Sequence, residues 1–350
     1  MSSSLLKTQL LDDAAEAAEY LRRGKLVAFP TETVFGLGAD ASNPQAIARL
    51  FAAKGRPADN PLIVHVGDRR DWALAAAELP DIARRILDLY SPGPVSVVVS
   101  KSAVICDSVT AGLETVGLRI PAPRVTRELL RAAQVPIAAP SANLSGRPSA
   151  TSWQSVLEDL DGRIDAILCA NVENVGLEST VIDCTGDAPV ILRPGGIGLA
   201  QLQSHFPNAR CWNEETTAGQ EWGAESVGRT IESLPLGSPG LRHPHYQPRA
   251  RVQLLEAGQP WPPGGDPSAA DLVCLAYAYA GCTTPPRGMR LSRQFDSLAA
   301  YAHDFYEFLR EADRARIDVI GLEAVSIEAA RGAGIAAALR DRQRRAAGLH

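Results

Sequence analysis

Short, largely apolar runs recur along the first two hundred residues of this chain, and stretches of helical period separate several of them. Lys25 to Phe29, Leu62 to Val66, Val95 to Val99, Val116 to Ile120, Ile137 to Ala139, Ala166 to Cys169, Thr180 to Asp183 and Val190 to Leu192 are predicted as strands. Asp12 or Asp13 caps a helix over Ala14 to Arg23 that Gly24 ends. Asn43 caps the next, with Pro44 at its first position, Ile47, Leu50 and Phe51 on its apolar face and Gly55 closing it. Further helices are predicted over Ile82 to Tyr90, Arg124 to Ala133 and Trp153 to Leu160. This interleaving predicts an α/β layer fold. Some strands follow one another with no helix between, so an open, twisted and mixed sheet is expected.

From about Pro207 to Gly240 the periodicity fades, and NEETTAGQEWGAESVG reads as linker. Beyond it, Val252 to Glu256, Asp271 to Tyr277 and Asp318 to Glu323 are predicted strands, with helices over Ser297 to Arg310 and Ile327 to Arg345. A smaller α/β domain is expected there. The chain thus divides into residues 1–204, a linker over 205–249 and a C-terminal domain over 250–350.

Composition narrows the picture. With 350 residues, 45% of them hydrophobic, there is enough apolar material for two cores. A net charge of -5 argues against coating nucleic acid by bulk charge, so any anion site must be local. No apolar run is long enough for a membrane span, and the start turns acidic where a signal peptide needs an apolar core, so a cytoplasmic location is expected. The six cysteines form no C-x-x-C pair, and neither a zinc site nor a disulfide framework is indicated.

The common nucleotide signatures are missing: no G-x-x-x-x-G-K-[ST] occurs, and GGIGLAQ lacks the third glycine of a dinucleotide loop. What does occur is a set of small polar and cationic residues at element ends. Lys54 and Arg56 follow a helix, and Asn60 precedes a strand. Ser141, Asn143, Ser145 and Ser149 follow another strand, while Arg119 and Arg193 lie on or at the end of strands. Hydroxyls, amides and guanidinium forks suit polyphosphate, whose oxygens need donors and whose charge needs cations. Each has a plainer reading. Lys54 can complement a helix dipole, Ser141 and Asn143 can be turn residues, Thr31 and Thr33 can cap a turn, and His65 can be a hydrogen-bonded core histidine.

In combination, PTETVFGLG, KGRPADNPLIVHV, GLRIP, PSANLSGRPS, EST and RPGGI occur in the order seen in YrdC-type threonylcarbamoyl-AMP synthases, and the chain resembles that family over Leu11 to Leu199. SPGLRHPHYQP, Ser238 to Pro248, resembles the linker of the long two-domain form. The resemblance implies a YrdC-like sheet, a Rossmann-like C-terminal domain and a reaction. L-threonine, bicarbonate and ATP would give threonylcarbamoyl-AMP and pyrophosphate, which a separate tRNA threonylcarbamoyl transferase would use at the adenosine beside the anticodon. Weak contact with tRNA is a further implication.

By motif, the resemblance places Thr33, His65, Arg119, Ala139 and Ser179 on threonine. It places Arg56, Asn60, Thr115, Ser141, Ser149, Arg193 and Tyr246 on ATP, with Lys54 and Asn143 beside the phosphates as part of the catalytic set. Magnesium would be held mainly by ATP, with no protein ligand named. Gly36 and Gly38 are expected in a turn that lets backbone approach ligand, and the stiff segment around Tyr246 is expected to close over the cleft as a lid. Phe35 stands where the family commonly has Tyr; Leu241, His243 and Pro244 also depart from its usual Met, Tyr and Arg. Two other readings are a carbamoyl-adenylate-forming carbamoyltransferase, which would need zinc-finger and acylphosphatase-like parts, and a non-enzymatic RNA-binding module.

Overall fold

The computed structural model describes residues 7–212, 245–256, 274–276, 289–332 and 334–349. The first part of SPGLRHPHYQP, through Pro244, therefore lies outside the described residues, as do Leu241, His243 and most of the expected linker.

Eleven strands form the large sheet: β1 Gln9–Leu11, β2 Val27–Phe29, β3 Gly36–Asp40, β4 Ile63–His65, β5 Val95–Ser100, β6 Thr115–Arg119, β7 Ile137–Ala138, β8 Ala166–Leu168, β9 Thr180–Asp183, β10 Val190–Arg193 and β11 Arg210–Cys211. Their order is β1-β8-β2-β3-β7-β4-β6-β5-β9-β10-β11. Parallel pairs (β4 with β6, β5 with β9) and antiparallel pairs (β2 with β3, β5 with β6) make the sheet mixed, as expected. Around it lie α1 Ala14–Arg22, α2 Pro44–Lys54, α3 Asp81–Tyr90, α4 Asp107–Thr110, α5 Arg124–Ala133, α6 Trp153–Leu160 and α7 Leu199–Gln203.

The caps act as read. The Asp13 carboxylate accepts hydrogen bonds from the Ala15 and Glu16 amides, and the Asn43 side chain accepts from Gln45 and Ala46. Gly55 ends α2 in the left-handed conformation, at φ 60°. The stretch from Gly36, by contrast, is no turn. It is strand β3, with Val27 opposite Gly38 and Phe29 opposite Gly36. Its glycines misled because their smallness serves packing: a Cβ on Gly38 would meet the Phe29 ring at 2.7 Å. Strand β11 lies inside the stretch read as linker; two residues on a sheet edge carry no visible period.

The second sheet is four-stranded and parallel among the described residues, with β12 Arg251–Leu255, β13 Cys274–Ala276, β14 Leu291–Ser292 and β15 Val319–Glu323 in the order β12-β15-β13-β14. Its helices are α8 Leu298–Arg314, α9 Ile327–Gly332 and α10 Gly334–Ala346. Within the stretch expected as a helix over Ile327 to Arg345, the described residues are helical over Ile327–Gly332 and Gly334–Ala346. One apolar cluster runs from Tyr301, Phe305 and Leu339 of this unit to Val34 and Leu177 of the first.

Candidate functional site

A cleft of about 590 Å³, counted to its open mouth, lies where β4, β6 and β10 end. Parallel pairing of β4 with β6 sets His65 beside Arg119 at the C-terminal edge of both strands, where open α/β sheets bind ligands. Thr33, Ala139, Ser141, Arg56, Arg193 and Tyr246 share the cleft with them.

One corner is a directed hydrogen-bond chain. Thr31 Oγ1 donates to the Val34 carbonyl (2.6 Å), which uses its only hydroxyl proton. Thr33 must therefore be the donor in the 2.8 Å bond between the two threonine hydroxyls. Thr33 Oγ1 also accepts from Arg119 Nη2 (2.9 Å), so its remaining capacity is as an acceptor. Arg119 Nη2 donates as well to Glu32 Oε1 (2.7 Å), and Glu32 Oε2 accepts from the Ala122 amide (2.8 Å). Buried Arg119 Nε has no hydrogen-bond partner among the described residues. The His65 ring is 3% exposed, and burial, helped by the Arg119 charge, lowers its pKa to about 3. It is therefore neutral. Nδ1 faces the Ile63 carbonyl at 3.3 Å and must carry the proton, which leaves Nε2 as an acceptor. The corner offers an unpartnered guanidinium N–H at Arg119 Nε and two acceptors.

The rest of the cleft is cationic. Burial lowers the Arg56 pKa to about 10, and Arg56 donates to the Asn60 and Pro61 carbonyls at 3.4 and 3.0 Å. Arg193 donates to the Ser179 carbonyl through Nε and Nη2 (3.2 and 3.0 Å), while Ser179 Oγ shares a hydrogen bond with Ser96 Oγ. After Arg193 the backbone presses on β9: a Cβ on Gly195 would sit 2.1 Å from the Thr180 amide nitrogen, so only glycine fits. Lys54 is buried at the end of α2, and its ammonium donates to the Ser141 and Asn143 carbonyls. Burial, then the nearby Arg56 charge, pushes its pKa well down. Lys54 thus shapes the loop that presents Ser141. Asn143 donates to the Leu144 and Arg147 carbonyls, while its buried Oδ1 has no partner among the described residues.

Tyr246 closes the far side, with its backbone at φ 66°. Burial raises its pKa. Next to it, His245 Nε2 accepts from the Asn60 amide at 3.2 Å, and the Gln247 amide donates to the Gly146 carbonyl at 2.8 Å, pinning this segment to the loop after Ser141. Burial and the Arg56 charge lower the His245 pKa to about 3. Asn60 and Ser149 are buried behind the lining residues. Thr115 is half-buried at the opposite end of β6 from Arg119 and away from the cleft lining.

Two lining or supporting carboxylates escaped sequence reasoning. Glu32 stands between the two threonines of PTET, and Glu178 opens EST. A carboxylate beside expected phosphate ligands gives no signal by itself; only the fold shows that Arg119 and Arg342 neutralise them.

The cleft thus sets the polar corner of Thr33, His65 and Arg119 beside the cationic side chains of Arg56 and Arg193 at the edge of an α/β sheet. Residues 19–195 match the family model described as Telomere recombination (Sua5, YciO and YrdC), and residues 200–348 match Threonylcarbamoyl-AMP synthase, C-terminal domain. The chain is 36% identical over 338 residues to the threonylcarbamoyl-AMP synthase of Pyrococcus abyssi, covering 95% of this chain and 93% of that one. It is 35% identical over 347 residues to the Bacillus subtilis enzyme, covering 95% and 92%. The crystal structure of P. abyssi Sua5 complexed with L-threonine superimposes with a TM-score of 0.81, at 34% identity, covering 97% of this chain and 98% of that one. The chain belongs to the Sua5 branch of the threonylcarbamoyl-AMP synthase family. No helix among the described residues is long and apolar enough to cross a membrane.

Proposed function

We propose that the chain makes L-threonylcarbamoyl-AMP and pyrophosphate from L-threonine, bicarbonate and ATP. The observation that carries this reading is the matched polarity of the Thr33, His65 and Arg119 corner. Arg119 Nε, a buried donor without a protein partner, suits the amino-acid carboxylate. The acceptors Thr33 Oγ1 and His65 Nε2 suit the amine on the same α-carbon. An imidazole whose pKa is about 3 is too weak a base to carry the amine's proton at neutral pH, so His65 orients the nitrogen.

Bicarbonate takes up a proton and loses water to give carbon dioxide; the neutral amine attacks that carbon and gives up a proton, so amine and bicarbonate together yield a carbamate and water. A carbamate oxygen then attacks the α-phosphorus of ATP, and the bond to the β,γ-pyrophosphate breaks. Arg56 and Arg193 neutralise charge on the phosphates, with Ser141 and Tyr246 as further ATP contacts, while Ser149 and Asn60 act from behind the lining through Glu178 and His245. Thr115, at the other end of β6 from Arg119, falls outside the ATP contacts of this reading. Lys54 and Asn143 hold the loop that frames the phosphates, and Ala139 and Ser179 complete the threonine pocket. Magnesium enters as part of the Mg·ATP substrate, and the protein supplies cations and donors around it. The reaction is a nucleotidyl transfer whose rate comes from positioning and water exclusion, because the carbamate is short-lived in water. The product would go to a tRNA threonylcarbamoyl transferase as the first step of threonylcarbamoyladenosine formation. In this reading residues 1–204 catalyse, 205–249 link and 250–350 form the accessory domain. Pyrophosphate release from ATP tests it, with threonine and bicarbonate omitted in turn: release is expected only with both, and equal release without threonine would overturn the reading.

A further inference from the structure

We propose that Tyr306, Arg310 and Arg342 of the C-terminal unit are positioning residues of the ATP half of the cleft, acting through Ser149, Glu178 and Tyr246. This rests on the reading of the cleft given under the proposed function. All three sit on α8 and α10, far along the chain from any motif of the first unit.

Glu178, on the cleft wall, has both carboxylate oxygens engaged. Oε1 accepts from Ser149 Oγ at 2.7 Å and from the Tyr306 hydroxyl at 3.1 Å. Oε2 accepts from the same hydroxyl at 2.8 Å and from Arg342 Nε at 2.9 Å. Burial works against its charge, but Arg342, Arg193 and the Ser149 hydrogen bond together hold its pKa below the usual carboxylate range. With its oxygens so occupied, Glu178 is a fixed anion that aims Ser149. The Ser149 backbone is held too. Arg310, one helical turn beyond Tyr306 on α8, donates to the Pro148 and Ser149 carbonyls at 2.6 and 3.3 Å and pairs with buried Asp159 at 3.0 Å.

Tyr246 is fixed from the same side. Its ring lies 5.3 Å from that of Tyr306, and the Arg342 guanidinium stands 5.6 Å from its centroid. A non-glycine residue at φ 66° persists only where its surroundings over-determine it, and here the packing of the C-terminal unit does so. None of these contacts reaches the corner of Thr33, His65 and Arg119.

Calorimetric titration of the full chain with ATP and, separately, with L-threonine tests the proposal. Tyr306→Phe removes one oxygen and keeps the ring, and Arg342→Lys keeps a cation but loses the fork. Each is expected to weaken ATP binding about threefold to tenfold while threonine binding stays within about twofold. Arg314→Ala cuts an exposed contact of the same interface, to Glu158, together with a pair to Glu307 within α8, and should leave both ligands unchanged. Unaltered ATP binding in Tyr306→Phe and Arg342→Lys, a parallel loss of threonine, or an equal loss in Arg314→Ala would each overturn the proposal. If the wild-type chain binds no ATP, the functional reading itself falls and the proposal with it; a chain that binds ATP and threonine but ignores Tyr306→Phe and Arg342→Lys keeps the first and loses only the second.

Discussion

The two halves of the cleft are built in different ways. The Thr33, His65 and Arg119 corner comes from strand ends of one sheet, tied by register and by hydrogen bonds among near neighbours such as Thr31 and Thr33. The opposite half takes Arg56 and Ser141 from the first unit but depends on Glu178 and Tyr246, whose fixed positions come from α8 and α10. A pocket made by one sheet is preorganised as soon as that sheet forms. A pocket completed across an interface is only as well formed as the docking of the two units, and it can be tuned there without touching the first.

The largest expected effect separates the halves directly. Arg119→Ala should cost about 2–5 kcal/mol of threonine binding, since a buried charge-assisted pair loses one partner, and should leave ATP binding nearly intact. Calorimetry of each ligand checks this; equal loss of both would erase the distinction. Lys54→Met strikes the other half. It leaves the Ser141 and Asn143 carbonyls without their donor, at about 1–3 kcal/mol each, and ATP affinity and chemical stability should fall together with threonine binding spared.

Acid should act on both halves through stability. His65 and His245 each have a folded pKa of about 3, below the ordinary value of 6.5, so the unfolded chain binds protons that the folded chain refuses. The stabilisation is present above pH 6.5 and is lost as pH falls towards 3. Each imidazole should account for about 2 kcal/mol of the stability difference between pH 7 and pH 5, and His65→Asn or His245→Asn should remove its own share in denaturant titrations at the two pH values. The smallest effect sharpens the corner. Thr33→Val keeps shape but loses the acceptor to Arg119 and the donor to Thr31, and should weaken threonine binding by about 1 kcal/mol with no change for ATP.

Much of the fold was legible in the sequence because its signals are local. The Asn43, Pro44 and Gly55 punctuation of α2 is read from the residues, and Arg124–Ala133, Trp153–Leu160 and Thr180–Asp183 have the predicted bounds. Strand β3 was missed because Gly36 and Gly38 signal a turn locally, whereas the Phe29 ring packed against them demands their smallness. Of the candidate residues, His65, Arg119, Thr33, Arg56, Ser141, Ala139, Arg193 and Tyr246 meet in one cleft, while Lys54, Asn143, Asn60, Ser149 and Ser179 stand behind or beside its lining and Thr115 away from it.

By itself the sequence determined the identities and order of the polar motifs, the caps that begin and end the helices, and the alternation that makes an α/β sheet, since each rests on residues within a few positions of one another. Tertiary structure alone decided which donors remain open. Arg119 spends one nitrogen on Glu32 and Thr33 and keeps Nε, Lys54 turns to backbone carbonyls, and Glu178 joins Ser149 to Tyr306 and Arg342 across 128 and 164 positions of chain. Hydrogen-bond capacity is limited atom by atom, so what a side chain can offer a ligand is known only once every neighbour brought to it by folding has taken its part.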